Sequence, residues 1–291
     1  MSDFLAASEL VLNPNGSVYH CNLLPENLAD TIFLVGDPGR VPVVSSFFDQ
    51  VEFRTQNREI ATHTGMKNGK RISVISTGMG TDNIDIVLSE LDALANIDLV
   101  HKQLKPNHKQ LTFIRLGTSG SLQEDIPVDG FLASTHGLGF DGLVHYYENS
   151  EVFSDNPFIE KFIADVHWDK KLPKPYLVEG DVALLEKAKK LGFISGVTAT
   201  ATGFYGPQGR VLRLGVKDKT LNEKLSKFRF EDMRITNFEM ETSGIYGLSK
   251  LLGHRALTIN CIVANRFTGQ FSKDSHQSMQ KLIGMVLEEY V

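Results

Sequence analysis

The chain contains little cysteine, no long apolar run and no excess of positive charge. Its 291 residues include 2 cysteines, Cys21 and Cys261; without a CxxC spacing they indicate neither a zinc site nor a disulfide framework. One disulfide between them stays open, but two free thiols in a reducing compartment are the simpler interpretation. No apolar stretch reaches the roughly 18 residues that a membrane helix needs. The sequence therefore predicts a protein without a membrane partner.

The net charge and the N-terminal residues argue against a nucleic-acid-binding protein and against a secreted protein. The formal net charge is −5 and the isoelectric point is near 6.0, so no overall positive field attracts nucleic acid. The N-terminal segment MSDFLAASELVLN has neither the basic region nor the apolar core of a secretory signal. We therefore expect a cytoplasmic protein with no nucleic-acid partner, in which any anion site is built locally.

Apolar periodicity predicts alternating strands and helices. The predicted strands cover residues 31–35, 71–77, 112–114, 194–200 and 256–266, and the predicted helices cover residues 81–97, 179–192 and 276–291. We expect Thr81 or Asp82 to cap the first helix and Gly192 to end the second. The charged segment 217–234 is predicted to be a solvated helix or flap. This alternation indicates an α/β fold with a largely parallel core sheet, formed by a single domain over residues 1–291.

Glycines and arginines follow several of the predicted strands. Residues 36–40 (GDPGR) follow the first strand, residues 78–81 (GMGT) the second and residues 115–120 (RLGTSG) the third. Ligands of open α/β sheets bind beyond the carboxyl ends of strands. Glycine lets backbone amides approach an anion, and arginine binds phosphate through a planar fork. The chain has no GxxxxGK[ST] loop, and GMG lacks the third glycine of a dinucleotide site. We therefore expect a phosphate site assembled from separate loops, although each segment alone would more often be a simple turn.

Two carboxylates, Glu239 and Glu241, stand in the apolar segment FEMETSGIYGLSKLLGH, just before a predicted helix. Burying a carboxylate is costly unless a charged or hydrogen-bonding group meets it. A helix N-terminus favours carboxylates in its first turn. That explanation fits Glu241 tolerably and Glu239 less well, so the reason for the pair has to come from the rest of the sequence.

Seven segments together resemble the nucleoside phosphorylase family. They are VGDPGRV, NREI, STGMG, IRLGTSGSL, GFYGPQGR, NFEMETSG and VANR, and they occur in the family's order from about His20 to the C-terminus. Within that family the uridine phosphorylase branch is the most similar. The resemblance implies reversible phosphorolysis, in which uridine and phosphate give uracil and ribose 1-phosphate. It also implies a single-domain, three-layer α/β fold with a mixed, partly barrel-like central sheet flanked by helices. The assembly is expected to be a homodimer or a trimer of dimers, with active sites at the dimer interface.

The resemblance assigns five residues to phosphate. It implies a backbone contact from Gly36, a grip on the dianion by Arg40 and Arg115, and a hydrogen bond from Thr118, which also reaches the ribose. Arg58 matches an arginine that the family lends from the neighbouring subunit. Without the resemblance, Arg58 would be taken for an ordinary surface arginine.

The ribose is assigned by resemblance in the same way. Glu241 matches the carboxylate that accepts hydrogen bonds from the adjacent 2′ and 3′ hydroxyls, a short and strong type of contact. Met240 lines the sugar, and His20 matches a histidine that reaches the 5′-hydroxyl across the dimer. Glu239 receives a supporting role, for which Arg266 is the expected partner.

The segment GFYGPQGR supplies the expected base site. Phe204 can stack on a ring, the amide of Gln208 can both accept from and donate to uracil, and Arg210 adds donors to a carbonyl oxygen. These donors stabilise the negative charge that develops on the departing base. The expected catalytic residues are thus Gln208 and Arg210, together with Arg115 and Glu241.

Position 265 bears on the choice of base. Purine-specific and hydrolytic relatives place an aspartate after the last core strand, whereas this chain has Asn265, which favours a pyrimidine. Purine nucleoside phosphorylase, a catalytically silent nucleoside-binding protein and an NAD-dependent enzyme stay as alternatives. No metal or cofactor is expected beyond phosphate as co-substrate. Some relatives bind a monovalent cation through residues that correspond to Glu59 and a serine. Asn83 replaces that serine in this chain, which argues against such an ion.

Overall fold

The computed structural model describes residues 5–291 of the chain. The strands are β1 (Thr31–Val35), β2 (Gln50–Asn57), β3 (Ile60–Lys67), β4 (Lys70–Ser76), β5 (Ile97–Asp98), β6 (Gln103–Leu104), β7 (Thr112–Ser121), β8 (Phe131–Gly139), β9 (Tyr176–Glu179), β10 (Ile194–Thr200), β11 (Arg229–Phe230), β12 (Met233–Glu239) and β13 (Arg255–Asn265). The helices are α1 (Arg40–Ser45), α2 (Thr81–Asn96), α3 (Glu151–Ser154), α4 (Pro157–Val166), α5 (Val182–Lys190), α6 (Leu221–Lys227), α7 (Thr242–Leu251) and α8 (Ser275–Tyr290). All the predicted strands and helices are present: β1 and β10 have the predicted bounds, the third strand is much longer than predicted, and the bounds of the others shift by at most three residues.

The central sheet closes on itself. Strands β12, β10, β8, β13 and β7 pair in that order, and β12 pairs back with β7, which completes a five-stranded barrel. Strands β1, β4, β3 and β2 extend the sheet from β7. Within the barrel, β8–β13 and β7–β12 are antiparallel and the other pairs are parallel. The mixed, partly barrel-like sheet is therefore confirmed, and the largely parallel arrangement holds for only part of it.

Helices cover the sheet on both sides. One apolar core joins α2 and α7 to the sheet, through residues such as Leu88 and Ile245. A second core joins α1, α5 and α8 to the sheet, through residues such as Val44 and Ile283. Helix against sheet against helix gives the three layers expected of an α/β fold.

Helix α2 shows how the sequence pattern and the structure agree and differ. Its buried residues Ile84, Val87, Leu88 and Leu91 recur at helical spacing and face the core. The predicted capping by Thr81 or Asp82 is wrong, because neither side chain caps the helix. Gly80 precedes the helix with a φ of 94°, a left-handed conformation that favours glycine.

The largest correction concerns residues 115–120, which were predicted to form a turn. Strand β7 instead continues through them, because β13 pairs with it along its whole length and β12 pairs with Gly120. Gly117 serves close packing rather than a turn. A Cβ atom there would lie 1.8 Å from Nη1 of Arg115 and 2.5 Å from Oδ1 of Asn260. The absence of a side chain at Gly117 therefore leaves room for the guanidinium of Arg115, which lies over the same strand.

Helix α5 ends where the sequence predicted. Helix α5 ends at Lys190, and Gly192 follows with a φ of 77°, as its predicted role in ending the helix requires.

The predicted solvated character of residues 217–234 is only partly right. Leu225 and Phe228 are buried there, and Phe228 packs against the ring of Phe162, so α6 belongs to a third apolar core.

The two cysteines, Cys21 and Cys261, are free and buried, as the composition favoured. Within residues 5–291, no helix combines the length and the apolar character that crossing a bilayer demands.

Candidate active site

A pocket of about 480 Å³ opens at the carboxyl ends of β1, β4, β7, β10, β12 and β13, a usual size for a small-molecule site. Of the thirteen residues expected to bind phosphate, ribose or base or to support them, ten line it: Gly36, Arg40, Arg115, Thr118, Phe204, Gln208, Arg210, Glu239, Met240 and Glu241. The charged residues that line it are Asp37, Arg40, Glu59, Arg115, Arg210, Glu239 and Glu241. His20, Arg58 and Arg266 do not line it. Loops that are distant in sequence thus meet in one place, as the positions of the strand ends predicted.

Arg115 lies at the centre of a buried network and is 5% exposed. Its Nη1 donates to Oδ1 of Asn260 at 3.0 Å and lies 3.6 Å from Oε2 of Glu239. Its Nη2 donates to Oε2 of Glu241. One guanidinium thus offsets the charge of two carboxylates that would otherwise be costly to bury.

The contacts of Glu239 differ from those that were predicted. Glu239 accepts from the amides of Glu241 (2.9 Å) and Thr242 (2.9 Å) and from the hydroxyl of Thr200 (2.7 Å). The explanation by a helix N-terminus therefore fits Glu239, which stabilises the start of α7. The predicted pairing of Glu239 with Arg266 is wrong, because Arg115 is the nearby cation. Burial raises the pKa of Glu239, and the charge of Arg115 opposes that shift.

Glu241 precedes α7 but caps nothing with its side chain. Its Oε1 accepts the amide of Gly80 at 2.7 Å, and its Oε2 accepts from Arg115. The carboxylate is 4% exposed and lines the pocket. An ionised carboxylate has about four acceptor positions, so two contacts leave capacity for hydroxyl donors of a ligand.

Two arginines come close together at the pocket. Arg40 donates from Nη1 to the carbonyl of Leu116 at 3.2 Å. Burial and the nearby charge of Arg115 both lower the pKa of Arg40. An anion placed beside both guanidinium groups would relieve this repulsion, which makes the region a fitting site for phosphate.

The predicted base residues lie together, with Arg210 over the ring of Phe204 at 3.8 Å from its centroid. Nη1 of Arg210 donates to the carbonyl of Phe204 and to Oε1 of Gln208, each at 2.6 Å. Burial, followed by the charge of Arg266, lowers the pKa of Arg210 to about 10. The pairing with Arg210 leaves the amide NH₂ of Gln208 available to a ligand carbonyl.

Arg266 lies outside the pocket and contacts the backbone of the segment 203–210 that holds the predicted base residues. Its Nη2 donates to the carbonyl of Gln208 at 3.1 Å, and Nδ2 of Asn222 donates to the same oxygen at 3.2 Å. Neither this use of Asn222 nor the contact of Asn260 with Arg115 was foreseen. For Asn260 the available signal was an amide inside the otherwise apolar strand β13, where a buried polar group requires a partner.

Asn265 is buried and does not line the pocket. Its Nδ2 donates to the carbonyls of Gln123 (2.9 Å) and Ile126 (2.8 Å). Its Oδ1 accepts from the amides of Phe267 and Thr268. The amide therefore fixes the loop after β13, a task that an aspartate could not perform because it lacks donors.

His20 and Arg58 lie outside the pocket of their own chain but next to each other. Nδ2 of Asn57, the residue before Arg58, donates to the carbonyl of His20 at 3.0 Å. Arg58 is exposed in the turn between β2 and β3, with a φ of 54°. The two residues that were expected to act in the pocket of a neighbouring subunit thus lie on one surface of this chain.

One group outside the pocket has the residue types of a metal site: Asp92, His108 and His254. Nε2 of His254 lies 3.1 Å from Oδ1 of Asp92. However, Nδ1 of His254 accepts the amide of Leu111 at 3.2 Å, which leaves the proton of the neutral ring on Nε2. A metal ligand needs a lone pair there and usually donates through its other nitrogen, so this arrangement does not suit a metal ion.

Comparison with known proteins agrees with this geometry. The family model described as "Phosphorylase superfamily" matches residues 30–291. The chain is 30% identical to a uridine phosphorylase of Thermococcus kodakarensis, over 94% of this chain and 86% of that protein. It is 28% identical to the Haemophilus influenzae uridine phosphorylase, over 93% and 96% of the two chains; DeoD-type purine nucleoside phosphorylases match at 25%. A crystal structure of a Trypanosoma brucei nucleoside phosphorylase with uridine phosphorylase activity superposes with a TM-score of 0.87 at 29% identity, covering 96% of this chain and 98% of the other. With sheet, pocket and comparisons in agreement, this chain belongs to the phosphorylase superfamily.

Proposed function

We propose that the protein catalyses the reversible phosphorolysis of uridine, giving uracil and ribose 1-phosphate. The observation that carries this proposal is one pocket that brings together Arg40 and Arg115, the carboxylate of Glu241 and the Phe204–Arg210 segment. These groups match the three parts of the reaction: an oxyanion, a polyhydroxylated sugar and a planar base with carbonyl groups.

The reaction would pass through a cationic sugar. As the bond from C1′ to N1 of the base breaks, its electron pair goes to uracil and C1′ becomes electron-poor. An oxygen of the phosphate dianion, held by Arg40 and Arg115, forms the new bond to C1′, while Glu241 orients the sugar through its hydroxyls. Gln208 and Arg210 donate to the uracil anion until it takes a proton from water. These donors act most strongly in the transition state, where the charge develops.

A pyrimidine is favoured over a purine. The NH₂ of Gln208, which makes no hydrogen bond within residues 5–291, suits a carbonyl oxygen of uracil, and Asn265 stands where purine-specific relatives have an aspartate. The side chain of Asn265 is also committed to the chain's own amides and carbonyls. The assay below distinguishes this proposal from its two alternatives, a purine nucleoside phosphorylase and a silent nucleoside-binding protein.

The assembly proposed is a homodimer or a trimer of dimers in which His20 and Arg58 complete the pocket of a neighbouring copy. Their shared surface outside their own pocket supports this. Phosphate is the only co-substrate in this proposal, with no other cofactor. Two buried, free thiols fit the reducing cytoplasm as its location.

The proposal is tested by following the absorbance of uridine as uracil forms, with and without phosphate. Loss of uridine that requires phosphate is the expected result. Hydrolysis without phosphate, cleavage of inosine but not uridine, or uridine binding without turnover would each contradict it. An Arg115→Met variant should lose activity, and Arg213→Met, at an exposed position outside the pocket, serves as its control.

A further inference from the structure

Glu90, on α2, is not part of the pocket, yet its carboxylate organises the segment around His20. Its Oε1 and Oε2 accept the amide of His20 at 2.9 and 3.0 Å. Its Oε2 also accepts the amide of Cys21 at 2.7 Å, and its Oε1 lies 2.7 Å from Nδ1 of the His20 ring. One carboxylate thus fixes both the backbone and the ring of His20.

These contacts determine where the neutral ring carries its proton. An ionised carboxylate only accepts hydrogen bonds, so Nδ1 of His20 must donate to Glu90 and Nε2 must present a lone pair. Within residues 5–291, Nε2 of His20 makes no hydrogen bond, and its side chain is 30% exposed. A second contact, from Asn57 to the His20 carbonyl, holds the segment from the other side. The molecule therefore displays a fixed hydrogen-bond acceptor on its surface.

We propose that Glu90 is a positioning residue for recognition of the ribose 5′-hydroxyl, acting through His20 on the pocket of a neighbouring copy. This inference rests on the proposed function and assembly. An acceptor at Nε2 takes a hydrogen bond from a hydroxyl, which a 5′-deoxy sugar lacks. A fully ionised 5′-phosphate also lacks a proton to donate, and the charge of Glu90 repels it. Glu90 thereby helps the site to select nucleosides over nucleotides.

The experiment compares kcat/KM for uridine with kcat/KM for 5′-deoxyuridine. In Glu90→Gln, the amide NH₂ can donate to Nδ1, which moves the ring proton to Nε2 and removes the acceptor. We expect the preference for uridine over 5′-deoxyuridine to fall about tenfold, the scale of one hydrogen bond, while the value for 5′-deoxyuridine stays within about twofold. His20→Ala should cause a similar loss, and the double variant should add little to it. Glu186→Gln, at an exposed position on α5, is the matched control.

Four results would overturn the proposal. Equal losses with both substrates in Glu90→Gln would make Glu90 merely structural, and an unchanged preference would remove it from recognition. An unchanged preference in His20→Ala would refute the role of His20 while leaving uridine phosphorolysis intact. If Glu90→Gln does not fold, ¹⁵N spectra of the wild-type protein decide: the proton must lie on Nδ1 of His20, and a proton on Nε2 contradicts the proposal. Absence of uridine cleavage in the wild type would instead refute the proposed function itself.

Discussion

Replacing Gly117 by alanine tests whether the position of Arg115 governs phosphate use. Gly117 lies opposite Asn260 in the pairing of β7 with β13. The added methyl group would lie 1.8 Å from Nη1 of Arg115 and 2.5 Å from Oδ1 of Asn260, so the guanidinium must move. Moving it breaks the contact with Asn260 and alters those with Glu239 and Glu241.

Two magnitudes follow from this geometry. Forcing a methyl group into a packed interior costs about 1–3 kcal/mol of unfolding free energy. A charge-assisted hydrogen bond contributes about 1.5–3 kcal/mol, and each 1.4 kcal/mol corresponds to about a tenfold change. We therefore expect kcat/KM for phosphate to fall by about 10- to 150-fold in Gly117→Ala.

The assay is initial-rate kinetics with varied phosphate, combined with urea unfolding to measure the change in stability. Gly215→Ala is the matched control, because a Cβ atom there meets nothing within 4 Å. A folded Gly117→Ala variant that keeps kcat/KM for phosphate within twofold of the wild type would refute the reasoning. So would an equal loss of rate in Gly215→Ala.

Three further predictions concern other parts of the molecule. Arg210→Leu should lower kcat for uridine by at least about tenfold through loss of a donor to the leaving base, with little change in urea unfolding; unchanged turnover would contradict the base assignment. Asn265→Asp should not create activity on inosine and should destabilise the fold by about 1–3 kcal/mol, because two main-chain carbonyls lose their donor; gain of inosine cleavage in the assay would be the opposite result. Asp181 is paired with Arg255 and its hydrogen bond with that arginine lowers its pKa below the usual 3.8, so the pair contributes stability above pH 3.8 that is lost as pH falls through the lowered pKa. Asp181→Asn keeps a side chain that can cap α5 and should lose about 0.2–1 kcal/mol of unfolding free energy at neutral pH; a loss that persists at the lowest pH would refute the ion-pair contribution.

The sequence predicted the fold well where a local pattern is sufficient. The spacing of Ile84, Val87 and Leu91 identified α2, and Gly192 marked the end of α5. It failed at β7, because Gly117 and Gly120 resemble a turn in one dimension and only the pairing with β12 and β13 makes them strand residues. The single domain over residues 1–291 stays a prediction.

The candidate site divides along the same line. Residues in the segments that follow strands, such as Arg40 and Glu241, could be placed from the sequence because the ends of the strands converge. Their partners could not, since hydrogen bonds such as those of Arg115 with Asn260 and of Arg266 with the Gln208 carbonyl join segments far apart in the chain. The roles of the residues in catalysis stay predictions.

The balance of charge around the pocket has a consequence for how the enzyme would respond to dilution. Three arginines and four carboxylates line the pocket of one chain, so the carboxylates offset part of the attraction that Arg40 and Arg115 exert on a phosphate dianion. In the proposed assembly, Arg58 from a neighbouring copy supplies the missing positive charge. Affinity for phosphate would then decline as subunits separate, and free anions such as sulfate would bind more weakly to isolated subunits than to the assembly.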